Sequence, residues 1–207
     1  MKPLPRLLLT SLLFAAAGSA MAASSVDLTV TGLITPSACE PTLSGGGSVD
    51  YGKIAAKDLT VDDMTQLEIR NVAFNITCEA ATLVALQGND NRAGSDYMNN
   101  GRLYGLGFVN GTERLGDLSL SLKNLVADGA TPRSIRSNNN GTTWTTSIYM
   151  APPWMMSVAD GTTVAPIPVT VLTGDLELNT WIAPTNELTL GSELPIDGSV
   201  TLQVIYL

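Results

Sequence analysis

Histidine is absent from the 207-residue chain, and cysteine occurs only twice. Without an imidazole there is no histidine general base, no Ser-His-Asp triad and no histidine-ligated metal. Two thiols alone do not make a zinc cage, so no metal and no cofactor is expected. Basic residues are also few, 11 against 19 acidic, for a formal charge of −8. A chain with that balance and no basic stripe argues against nucleic acid and anionic membrane surfaces as partners. The Gly-rich stretch GLGFVNG does not match a dinucleotide fingerprint and reads as strand and turn. Asp90 and Arg92 in GNDNR could form an acid–base pair. The favoured reading is a turn whose Asp and Asn side chains bond their own backbone. An enzyme is therefore not expected.

Long apolar runs are missing except at the start, MKPLPRLLLTSLLFAAAGSAMA. Lys2 and Arg6 give a basic beginning, Leu7 to Ala17 an apolar stretch, and Ala20-Met21-Ala22 a small-x-small cleavage site. Residues 1–22 therefore read as a secretory signal, too short and wrongly flanked for a membrane anchor. Removing it takes away two basic residues and makes the exported chain more acidic still. In an oxidising compartment Cys39 and Cys78 are most simply one disulfide, closing a loop of about 40 residues and contributing roughly 4 kcal/mol. Two free buried thiols are the alternative.

What remains is rich in alternation. Val72, Phe74, Ile76 and Cys78 alternate in NVAFNITC; Leu118, Leu120 and Leu122 in DLSLSLKN; Val169 and Val171 in PVTVLTG. Val200, Leu202, Val204 and Tyr206 do the same in GSVTLQVIYL. Turn clusters separate these runs: SGGGS, GNDNRAGSD, NNG, VNGT, SNNNGT and ADGT. Short strands with regular turn punctuation predict an all-β sandwich over 38–207, in one domain. AAKDLTVDDMTQL has room for one helical turn, weakened by Thr and Asp.

With aromatics at only 5% of the chain, the cluster Trp144, Tyr149 and Trp154 in TWTTSIYMAPPWMM stands out. Aromatic faces suit sugar rings. Packing beneath a long loop with Met150, Met155 and Met156 is the favoured alternative.

The apolar alternation also runs through the segment after the signal, SVDLTVTGLITPSAC, before the first cysteine. An apolar strand pattern at each end suggests exchange between chains, one chain's segment adding to another's sheet edge. The set resembles the pilin subunits of chaperone–usher fimbriae. It comprises a signal peptide, an alternating extension with Gly32 seven residues before Cys39, a second cysteine ending VAFNITC, and a final strand with a penultimate Tyr206. ITPSACEPTLSGGGSVDYG, DNR, YGLG and GSVTLQVIYL look more closely like a branch of fimbrial-like secreted proteins known only as a domain of unknown function.

That resemblance implies an immunoglobulin-like sandwich missing its last strand. Residues 23–37 would be the donor extension, with Val26, Leu28, Val30, Gly32 and Ile34 on its inserting face. The acceptor edge would be Val200, Leu202, Val204 and Tyr206, with the Leu207 carboxylate held by a periplasmic chaperone. Partners would be that chaperone, an outer-membrane usher and neighbouring subunits. The route would run through the periplasm to the cell surface. A monomeric, carbohydrate-binding sandwich using Trp144, Tyr149 and Trp154 is the second expectation.

Overall fold

A computed structural model of the chain describes residues 28–32 and 38–207. Residues 28–32 form no regular element, and their side chains are exposed. The expected signal peptide, Val26 and Ile34 lie outside the described residues.

Among the described residues fourteen strands follow in chain order: β1 (Cys39–Leu43), β2 (Thr65–Gln66), β3 (Arg70–Thr82), β4 (Val84–Asp90), β5 (Tyr104–Gly105), β6 (Phe108–Val109) and β7 (Glu113–Arg114), then β8 (Gly116–Ala127), β9 (Arg133–Ser137), β10 (Thr145–Thr146), β11 (Tyr149–Met150), β12 (Met155–Ala159), β13 (Val169–Ile182) and β14 (Val200–Tyr206). One sheet has the order β1-β3-β13-β8-β11, with β2 and β5 added at β13 and β8. The second has the order β10-β9-β12-β4-β14, and β6 with β7 makes a separate hairpin. Every named pairing is antiparallel, as in a sandwich built from hairpins and long returns.

The order assigns immunoglobulin letters directly. β1, β3, β13 and β8 take the places of A, B, E and D, and β4 and β14 those of C and F. The place of G, beside F, holds no strand among the described residues. β9 to β12 are additions between D and E: β9, β10 and β12 extend the β4 sheet, and β11 adds to β8 in the other sheet. All-β architecture and the sandwich arrangement are as the alternation predicts.

Alternation places the core. On β3, Val72, Phe74, Ile76 and Cys78 are buried while Ala73, Thr77 and Glu79 are exposed. Leu118, Leu120 and Leu122 of β8 and Leu172 and Leu176 of β13 join them from the same sheet. Val84, Leu86, Met156 and Val158 face them from the other. Tyr104 is fully buried, and its hydroxyl lies against Gly88 of β4, where any Cβ would collide with it. Asn110 and Gly111, both with positive φ, turn the β6–β7 hairpin.

One expected alternation fails. Val169 is buried but Val171 is exposed, because the register of β13 shifts between them. A bulge adds one residue and reverses the faces that follow. The Asp128 carboxylate holds it, accepting the N–H groups of Thr170 (3.1 Å) and Val171 (2.7 Å). The helical turn expected after Ala55 is present as a single 3-10 turn, Ala56–Asp58. Cys39 and Cys78 are disulfide-bonded, joining β1 to β3 where the two residues face each other in register.

Candidate functional site

The site is built on the free edge of β14. Among the described residues β4 is its only strand neighbour, paired from Val200↔Asp90 to Tyr206↔Val84. The N–H of Asn91 donates to Ser199 O (3.0 Å), and that of Leu207 to Leu83 O (3.1 Å). In an antiparallel ladder, bonded and non-bonded residues alternate. The odd-numbered residues of β14 therefore bond to β4. Val200, Leu202, Val204 and Tyr206 turn their N–H and C=O groups to the open side.

The same residues supply the apolar face. Val200, Leu202 and Val204 are half-buried against the core, whereas Thr201 and Gln203 are exposed. Beside them lies a groove of about 170 Å³ between the two sheets, lined by Leu43, Tyr51, Leu120, Leu178, Ile196 and Leu202. Past Ile196 it meets a wider cleft of about 680 Å³, whose walls include residues 49–56 and 192–196. Lys53 and Glu193 pair at 2.6 Å on the rim of that cleft, both highly exposed.

Tyr206 departs from its three partners. It is 40% exposed, and its hydroxyl accepts the Cys39 N–H at 2.9 Å. Leu207 is also exposed. The sequence-predicted acceptor residues thus come together on one edge, with Tyr206 reaching across to β1.

The approach to β14 is held by residues that sequence reasoning assigned elsewhere. Arg92 makes a two-pronged contact with Asp197, Nε to Oδ2 at 2.8 Å and a terminal nitrogen to Oδ1 at 2.7 Å. Hydrogen bonding with Asp197 raises the Arg92 pKa, and hydrogen bonding from Arg92 lowers that of Asp197. Asn91 donates to Ser199 Oγ (2.9 Å) and Thr201 Oγ1 (3.0 Å). Asp90 accepts the Arg92 N–H at 2.8 Å in a local turn, so Asp90 and Arg92 are not an acid–base pair. Nothing local in the sequence points from Arg92 to Asp197, 105 residues away.

The aromatic cluster is divided. Trp144 is half-buried, its indole N–H donating to Gly141 O at 3.1 Å. A Cβ at Gly141 would touch both Trp144 and Leu207, which places this loop against the end of β14. Trp154 is half-buried with the Arg136 guanidinium 3.8 Å from its ring centre, so one ring face is occupied. Tyr149 is 59% exposed and belongs to the other sheet, paired with Ser121 of β8.

Among the described residues there is no cluster of three or more residues suited to a metal ion, and no helix long and apolar enough to cross a membrane.

The expected likeness to a family of unknown function is met. Residues 28–118 match a family described as protein of unknown function (DUF1120), a span running from the exposed segment through the disulfide pair into β8. The chain is 29% identical to protein GltF of Escherichia coli strain K12, with 93% of each chain covered. It is 27% identical to the uncharacterized protein YhcF of the same strain, over 91% of this chain and 93% of the other. No solved structure matches. By sequence, then, the chain is similar to these two bacterial proteins along nearly its whole length, and to a family that carries no assigned activity.

Proposed function

We propose that this chain is the structural subunit of a chaperone–usher type fimbria, assembled by donor-strand exchange and contributing to surface adhesion. The observation that carries this reading is the edge of β14. Val200, Leu202 and Val204 offer unpaired backbone groups and apolar side chains together, above a groove between the sheets. An extended segment added there gains a backbone ladder for affinity and pockets for every second side chain.

The donor is the extension of a neighbouring copy, inserting Val26, Leu28, Val30, Gly32 and Ile34. Leu28 and Val30 are 87% and 86% exposed, so their burial in a groove contributes about 1.5–3 kcal/mol each. Before that exchange a periplasmic chaperone supplies the strand and an outer-membrane usher receives the subunit. The chain is exported by its signal, passes through the periplasm and ends on the cell surface.

Deleting residues 23–35 tests the reading. The shortened chain should co-purify from periplasm with its chaperone and form no SDS-resistant ladder. A stable, chaperone-free monomer would contradict it.

A further inference from the structure

The two rims of the groove are unequal. The Glu79 N–H donates to Ala38 O at 3.0 Å, so the even-numbered residues of β1 bond to β3. Cys39, Pro41 and Leu43 therefore turn their backbone groups toward the groove. Proline has no N–H to offer. The Cys39 N–H is already donated to the Tyr206 hydroxyl, which reaches it from β14 across the gap between the sheets. Of the three groove-facing positions on β1, only Leu43 keeps a donor for a new strand.

A sheet edge lacking donors is a poor template for pairing, and proline and capped positions on edges act in that way. β14 has no such protection at Val200, Leu202 or Val204. We infer that Pro41 and the Tyr206 hydroxyl close the β1 rim as a donor edge at positions 39 and 41, so that an incoming extended apolar segment builds its two-way backbone ladder on β14. This rests on the acceptor role proposed above and specifies its geometry. Tyr206 acts as a positioning residue: its ring belongs to the acceptor strand, and its hydroxyl spends the donor that would otherwise let a segment slip across to β1.

Amide hydrogen exchange read by NMR on the disulfide-intact chain tests this, with a synthetic peptide of residues 24–35 as the incoming segment. Without peptide, the Cys39 amide should exchange slowly in the wild type and at least ten-fold faster in Tyr206→Phe. The Glu40 and Thr42 amides should be unchanged and so report an intact β1. Equal Cys39 exchange in the two proteins overturns the inference. With peptide, the Leu202 and Val204 amides should slow while Leu43 does not, and new protection at Leu43 overturns it. The double variant Pro41→Ala, Tyr206→Phe reopens the rim, and peptide should then protect Cys39 and residue 41; no gain there also overturns it. A peptide that protects nothing contradicts the acceptor reading itself, and the Cys39 comparison still decides whether the rim is closed.

Discussion

Asp117 is 1% exposed and lies near a second buried carboxylate, Asp96. Among the described residues no cation pairs with it; the Met98 N–H donates to its two oxygens at 3.3 and 3.4 Å. Burial pushes its pKa from 3.8 up to about 6. A carboxyl raised in the folded state favours folding most fully below its unfolded pKa, and that benefit is lost as pH rises through about 6. Asp117→Asn should therefore flatten the rise in melting temperature that acidification from about pH 7 to about pH 4.5 brings; an unchanged slope in the variant would count against this assignment. Gly88 is the second sensitive residue. Gly88→Ala drives a methyl into the Tyr104 hydroxyl, and a urea midpoint should show a loss of about 1–3 kcal/mol. Trp144 and Trp154 are half-buried, and packing is the reading favoured here over a sugar platform. Trp154→Ala removes a half-buried ring and its Arg136 stack, and should cost about 2 kcal/mol, less than a fully buried aromatic. Unchanged stability with lost glycan binding would reverse that view.

At the scale of elements, alternation was a sound guide wherever a strand is half of a layer. Val72 to Cys78, Leu118 to Leu122 and Val200 to Val204 could be placed on faces from sequence because side chains alternate with period two. The same rule misplaced Val171, since a bulge depends on a distant carboxylate, Asp128, that no local pattern announces. The edge position of β14 could be suspected from its apolar repeat, but not the direction of its backbone groups, which follows from the Asn91–Ser199 register. The clamp of Arg92 on Asp197 and the reach of Tyr206 to Cys39 are contacts between remote parts of the chain. Only the fold brings them together. These elements make a paired prediction. Leu202→Arg puts a charge over the groove and should block strand addition, whereas Gln203→Arg, on the exposed face, should leave it near wild type. Peptide binding to the two variants checks it, and equal affinities would place the groove elsewhere.

For the whole molecule, one sheet ends in β1 and the other in β14, with the groove between them and the disulfide fixing the β1 side. The protein is in this view an acceptor at its groove and a donor at its extension, so that each copy completes the next. The most direct measurement compares two substitutions in the extension, Val30→Arg and Thr29→Arg, by the SDS-resistant ladder of unheated surface extracts. On the proposed inserted strand Val30 would face the groove, where a charge is buried unpaired, and Thr29 would point to the opposite face. The account predicts that Val30→Arg abolishes the ladder while Thr29→Arg retains it. Ladders of equal length from both variants would contradict donor-strand exchange, and a chain that never forms a ladder would leave the sandwich as a self-contained monomer.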